Sequence, residues 1–212
     1  MYRNKKLLSN GFQWVFLLMF LLTGAGSATA LPLPSASTIA EGTVVFCSST
    51  SNACYEGEPI IDKQPSQPQI GAGLVQPFMN PIAMWACDLG FSTWTVETFP
   101  SLSDGTVSLL CGSSTSGYIH IKSRHDTEWA SQMGGPGAWD DYMVWASANA
   151  LAKPKFSNFQ TGQKQCYTTP ILVYRIQNGA PKYVKTFNPT VIISTNNKIV
   201  ITSIPTTTSK CN

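Results

Sequence analysis

The side chains best suited to moving protons in this chain stand close together. His120 and His125 are its two histidines, and Lys122 and Arg124 lie between them in the run GYIHIKSRHD, residues 117–126. Imidazole accepts or donates a proton near neutral pH, and an ammonium or guanidinium beside it attracts phosphate. Together these groups suit metal-independent cleavage of a phosphodiester. In RNA, one imidazole takes the 2′-hydroxyl proton, another protonates the leaving oxygen, and the cations steady the phosphorane. Proton transfer of this kind contributes ~10²–10⁴-fold. The bland alternative is that a histidine at a helix start is only a cap.

The spacing restricts how the two histidines can meet. Five residues apart, they point to opposite faces of a strand, or about 140° apart round a helix. A strand-to-helix junction would bring them together. Ser123 followed by Asp126 resembles a capping box, so a helix is expected to begin there, with Tyr118–Lys122 as a short strand or helix entry. His125 would then sit in a first turn, where unpaired N–H groups attract an anion. Trp129 and Met133 follow one turn apart, and Gly134-Gly135-Pro136-Gly137 breaks the helix. A second helix is expected from Trp139 to Leu151, with Trp139, Met143, Ala146 and Ala150 on one face. Asp140 and Asp141 suit its N-terminal turn, and Pro154 stops it.

Other candidates carry less chemistry. Trp145 and Tyr142 are candidates to stack bases, whereas Trp139 reads as core. Asp140 and Asp141 are adjacent carboxylates, but neighbours on a helix diverge. The serines lie in no G-x-S-x-G context. The cysteines show no C-x-x-C pair and no Cys/His cluster with zinc spacing, so neither a metal site nor a cofactor is expected.

The chain opens like a secretory precursor. Arg3, Lys5 and Lys6 precede the apolar run Trp14–Leu22, and Ala28-Thr29-Ala30 forms an A-x-A cleavage site. The apolar run falls short of the about 20 residues that a membrane span needs. Residues 1–30 are therefore read as a signal peptide, and the mature chain as secreted, extracellular or periplasmic, with no membrane attachment. Six cysteines behind such a leader, Cys47, Cys54, Cys87, Cys111, Cys166 and Cys211, imply disulfides. Four fall before residue 117 and two after, which suggests Cys166 with Cys211 and the rest among themselves. Cys47 with Cys54 would close a short loop.

Charge divides the chain at the same place. Residues 31–116 carry seven acids and one base, Lys63, and residues 117–212 carry ten bases and four acids. The halves thus bear −6 and +6. A basic domain that meets a polyanion, shielded by an acidic module, would show this split; so would two halves that simply pack together.

The expected fold is α+β. A small β-rich, disulfide-stapled module at 31–116 includes strands at Thr43–Phe46, Ser92–Phe99 and Thr106–Cys111, the last two joined across Asp104-Gly105. Two helices follow in 117–212. An antiparallel sheet of about four strands comes next, with Pro170–Ile176 and Lys182–Phe187 joined across Asn178-Gly179. Val191–Ser194 and Ile199–Ser203 complete it.

The pattern His-Ile-x-x-Arg-His, the Trp-rich helical pair and a meander ending I-V-I-T-S-I-P resemble bacterial secreted ribonuclease toxin domains, the barnase/EndoU-like and RNase A-like groups. The resemblance covers residues 117–205. It implies an endoribonuclease without cofactor, with RNA as substrate and a cognate inhibitor protein as a second partner. It matches His125 and Arg124 to the histidine motif and Thr202 to the threonine of a closing T-x-Y-P strand. His125 is then the general acid or base with His120 as its partner, Arg124 and Lys122 bind phosphate, and Thr202 orients the scissile group. Two departures stand out: Ile204 replaces the closing tyrosine, and no second arginine follows the first helix. The alternative is a non-catalytic secreted protein that binds a cell-surface or host partner.

Overall fold

Turn chemistry sets several strand boundaries. In the computed structural model, residues 39–51, 53–57, 79–133, 138–208 and 211 are described. The expected signal peptide, most of the proline- and glutamine-rich stretch after Glu56, and the expected Gly134–Gly137 break lie outside them. The elements in chain order are β1 (Val44–Ser48), β2 (Cys54–Glu56), α1 (Pro81–Asp88), β3 (Thr95–Ser101), β4 (Gly105–Leu110), α2 (Gly117–Met133), α3 (Trp139–Ala152), β5 (Phe156–Gln160), β6 (Lys164–Thr168), β7 (Ile171–Gln177), β8 (Ala180–Ser194) and β9 (Ile199–Thr206). Asn178 and Gly179 both have positive φ, as the centre of a type I′ turn between β7 and β8 requires. The Glu41 carboxylate accepts both of their N–H groups, at 2.8 and 3.2 Å.

The α+β class holds, but the sheet is larger than four strands. Nine strands join, in the order β2-β1-β7-β8-β9-β4-β3, with β5 and β6 attached beside β8. β8 is the spine. Its first half pairs with β7, and its second half lies between β6 and β9. The strand expected at Val191–Ser194 is the end of this longer one, which continues through Pro189. Its register partner there is Pro205, so two residues without an N–H face each other.

Strands from both sides of residue 116 share this sheet. β1 pairs with β7 over five residues, and β4 meets β9 in parallel at Ser108 and Ile199. The described residues between 37 and 212 accordingly form one compact unit. The acidic and basic halves are thus interleaved rather than stacked as separate modules.

An aromatic cluster joins α2 and α3 to the sheet. Trp129 of α2 meets Tyr142 of α3 edge to face at 5.7 Å, and both meet Phe187 of β8, at 6.1 and 5.9 Å. Phe46 of β1 closes on Tyr142 at 4.2 Å. All four side chains are fully buried. Such rings contribute packing beyond the area they bury.

Three disulfides pin the periphery. Cys47–Cys54 staples the β1–β2 hairpin, Cys87–Cys111 ties the end of α1 to the residue after β4, and Cys166–Cys211 holds the C-terminal tail to β6. The pairing follows the division of the cysteines between the halves, and it fits folding in an oxidising compartment. Among the described residues no helix is long and apolar enough to cross a membrane.

A polar clasp joins two turns at another edge. Lys198 donates to Asp104 at 2.7 Å, Tyr167 donates to the same carboxylate, and the Tyr167 hydroxyl lies 2.6 Å from that of Ser103. Partial burial acts to raise Asp104, but the hydrogen bonds from Lys198 and Tyr167 outweigh it and hold the carboxyl below its usual range.

Candidate functional site

Both histidines lie on α2, which begins six residues before the expected start at Ser123. Tertiary packing decides this. Tyr118 and Ile121 fall on the same stripe as Trp129 and Met133, and all four are buried, so the helix gains by extending back to Gly117. His125 therefore lies well inside the helix, not in a first turn, and no unpaired N–H group there serves an anion.

Two glycines aim the helix. Gly112 and Gly117 have φ of 72° and 81°. A Cβ on Gly112 would stand 2.0 Å from the Ser116 carbonyl oxygen, and one on Gly117 would stand 2.6 Å from that of Leu110. Only a residue without a side chain fits such an approach. The tight loop between them presents the Ser114 carbonyl oxygen to His120, whose Nδ1 donates to it at 2.9 Å.

One helix brings the two rings together after all. Their centroids are 5.7 Å apart and their planes are inclined by 79°. Helical side chains lean toward the N-terminus, which shortens the axial gap that five residues open. His125 occupies the core-facing stripe between Ile121 and Trp129, where its side chain is 16% exposed. Its Nδ1 donates to Glu128 Oε2 at 2.8 Å. A carbonyl or a carboxylate oxygen only accepts, so each Nδ1 carries a hydrogen. In the neutral rings both Nε2 atoms are then acceptors, and no hydrogen bond occupies them among the described residues.

The cations divide. Arg124 is one turn beyond His120, on the same side of the helix, and exposed. Among the described residues it has no ion pair. Lys122 is about 200° round the helix from His120, and its ammonium is paired with Asp88 of α1 at 3.0 Å. It ties α2 to α1 rather than joining the histidines.

Three expected site residues stand elsewhere. Tyr142 is fully buried and Trp145 nearly so, stacked on each other with centroids 6.1 Å apart. They are core, not a platform for bases. Burial pushes the Tyr142 hydroxyl well above its usual range, and Tyr55 adds to the shift. The exposed edge of Trp145 borders a shallow cleft of about 250 Å³ whose one charged lining residue is Glu97, the wrong sign for phosphate.

Thr202 is also buried, and among the described residues its hydroxyl has no hydrogen-bond partner. It is paired in register with Ile192, which pairs with Cys166, so these three share a face of the sheet. Its neighbour Ser203 faces the helices instead, with its carbonyl accepting from Trp129 Nε1 at 3.0 Å and its hydroxyl 2.8 Å from that of Ser147. No hydrogen bond links Thr202 to either histidine.

Asp140 and Asp141 are buried and structural. Tyr118 donates its hydroxyl to Asp140 at 3.2 Å, and the Met79 N–H binds Asp141. Burial raises the Asp141 carboxyl above its usual range, the Met79 N–H opposes this, and the Asp140 charge reinforces it. Burial likewise raises the Tyr118 hydroxyl, helped by the charge and hydrogen bond of Asp140. Trp139, expected in the core, is half-buried and stacks parallel on Tyr118 at 6.0 Å.

Sequence reasoning overlooked two groups at the pair. Glu128 stands at i+3 from His125, a spacing that places side chains side by side on a helix. The Ser114 contribution is a backbone carbonyl and leaves no mark in the side-chain pattern. The chain matches no family model, no curated protein and no solved structure.

Proposed function

We propose that this protein is a secreted endoribonuclease that cleaves RNA without a metal, with His120 and His125 as its acid–base pair and Arg124 as its phosphate contact. One observation carries the reading: two imidazoles lie 5.7 Å apart with each Nδ1 tied back to an acceptor. That separation is within the ~7 Å over which one phosphate can engage two hydrogen-bonding groups. One Nε2 takes the 2′-hydroxyl proton as that oxygen bonds to phosphorus. The other ring enters the step as an imidazolium and gives its Nε2 proton to the 5′-oxygen as the P–O5′ bond breaks, which leaves a 2′,3′-cyclic phosphate and a 5′-hydroxyl. The exposed Arg124 guanidinium offsets charge on the phosphorane. Three disulfides support the secreted setting. A cognate inhibitor protein would act by covering the exposed flank of α2 that carries Arg124.

The test uses the whole oxidised protein, because the strands of the two halves are interleaved. Cleavage of single-stranded RNA should persist in a chelator and fall ~10²–10⁴-fold in His120→Ala and in His125→Ala. Cleavage at the original rate in both variants would remove the site.

A second reading, a binding protein without catalysis, has its own observation. Ile82, Trp85 and Leu89 recur along one side of α1, with Phe91 and Trp94 in the turns that follow, and all five are exposed, Trp85 at 64%. Large apolar side chains exposed in such number over a short segment are a feature of interaction sites. Absence of RNA cleavage by the correctly oxidised protein would favour this reading over the first.

A further inference from the structure

The two imidazoles are held from behind by different groups. His120 is tied to a backbone carbonyl fixed by the Gly112–Gly117 loop, whereas His125 is tied to a side chain, Glu128. Glu128 is 52% exposed, and the described residues offer its carboxylate no lysine or arginine. Its one ion-pair partner among them is the imidazole.

The elements packed on α2 offer His125 no competing carboxylate. β4 and β9 contain no titratable residue, and the acids of α3, Asp140 and Asp141, are taken by Tyr118 and the Met79 N–H. Asp88 of α1 is held by Lys122. Asp126 is occupied locally, accepting the Thr127 N–H at 2.6 Å.

We infer that Glu128 is the positioning residue of the site: by accepting the Nδ1–H of His125 it fixes that ring's tautomer and rotation, so that Nε2 is presented beside His120. This role rests on the ribonuclease reading for its catalytic consequence, but the geometry it describes exists without RNA. Free imidazole in water favours the hydrogen on the nitrogen remote from the chain, which here would make Nε2 a donor and unable to accept a proton. A fixed acceptor at Nδ1 reverses that preference. Ring rotation matters as well, since a misplacement of about 1 Å can cost ~10²-fold in rate. Glu128 touches neither substrate nor the reacting atoms, and acts only through His125.

Two measurements test it, one with RNA and one without. Glu128→Ala should lower kcat roughly 10- to 100-fold with KM little changed. Glu128→Gln, whose amide oxygen still accepts from Nδ1, should recover most of the loss. Imidazole 15N chemical shifts, recorded where both rings are neutral, should show the Nδ1–H tautomer for His125 in the original protein and in Glu128→Gln. They should show reversion to the Nε2–H tautomer in Glu128→Ala, with His120 unchanged.

An unchanged His125 tautomer in Glu128→Ala would overturn the inference whatever RNA does, and so would full activity in that variant while His125→Ala is inactive. If His120→Ala and His125→Ala both cleave RNA normally, the ribonuclease reading falls, and the nitrogen shifts still decide the role of Glu128.

Discussion

The two long helices of this protein are built from similar residues and use them in opposite ways. α3 is buried nearly all round, because it contacts α2 and strands β3, β6 and β8. Apart from the Tyr142 hydroxyl, its carboxylates, serine hydroxyl and asparagine amide are spent inside the fold. Asp140 and Asp141 bind Tyr118 and the Met79 N–H, Ser147 meets Ser203, and Asn149 accepts from Ser51 at 2.5 Å. α2 lies over β9 with one flank open, and its polar groups bond mainly within the helix and the loop before it. A buried, satisfied polar group holds structure, while a partly exposed one with a lone pair not taken up by the described residues remains available for chemistry. Residue type alone does not separate the two.

The largest effects should therefore fall on different properties in the two helices. His125→Ala should lower kcat/KM ~10²–10⁴-fold while changing the unfolding midpoint little, as denaturant titration alongside the RNA assay would show. A loss of cleavage matched by a loss of folding would turn His125 into a core residue. Trp129→Ala, one turn further along the same helix, should instead cost about 3–5 kcal/mol of stability. A smaller loss would mean that the aromatic cluster does not join the helices to the sheet. Removing the Cys166–Cys211 bridge, which closes 45 residues, should cost about 4 kcal/mol. Denaturant midpoints of the serine double variant, compared with those of the original oxidised protein, measure it.

Two acids should respond to pH with opposite sign. Asp141 is raised by burial, so the folded state binds its proton more tightly than the unfolded state does. Its contribution is then favourable at low pH and is lost as pH rises from about 3.8 through the folded value. Asp141→Asn should stabilise the protein at neutral pH, with the gain vanishing below that window. Asp104 is lowered, so its contribution is present above about 3.8 and is lost as pH falls through the folded value. Asp104→Asn should destabilise at neutral pH and converge with the original protein in acid. Melting curves between pH 3 and 8 read both, and like-signed responses would contradict the contrast. The smallest effect belongs to Tyr142→Phe, which removes a buried hydroxyl without a described partner. Stability should stay level or rise by up to about 1 kcal/mol, with RNA cleavage unchanged; lost cleavage would return Tyr142 to the site.

What the sequence conveyed was local, and what it withheld was tertiary. Asp104-Gly105 and Asn178-Gly179 placed their hairpins because those turns need particular φ values. The run from Trp139 placed α3 because its period and the stop at Pro154 agree. The start of α2 was misread, because Ser123 offers a capping pattern but burial of Tyr118 and Ile121 outweighs it. The nine-stranded sheet was hidden since pairing β1 with β7 joins residues more than a hundred positions apart, with no mark in local periodicity. Tyr142 and Trp145 looked like stacking residues because exposure cannot be read from residue type. The histidine pair was found by composition, although the wrong local geometry was expected to bring it together.

The central claim is that His120 and His125 act as one unit on RNA, and a double-variant cycle tests it most directly. Cleavage rates would be measured for the oxidised protein, for His120→Ala, for His125→Ala and for the double variant. Residues that share one reaction step are strongly non-additive, so the double variant should be scarcely slower than the slower single variant. A double variant whose loss equals the product of the two single losses, or one that still cleaves RNA at the original rate, would contradict the account.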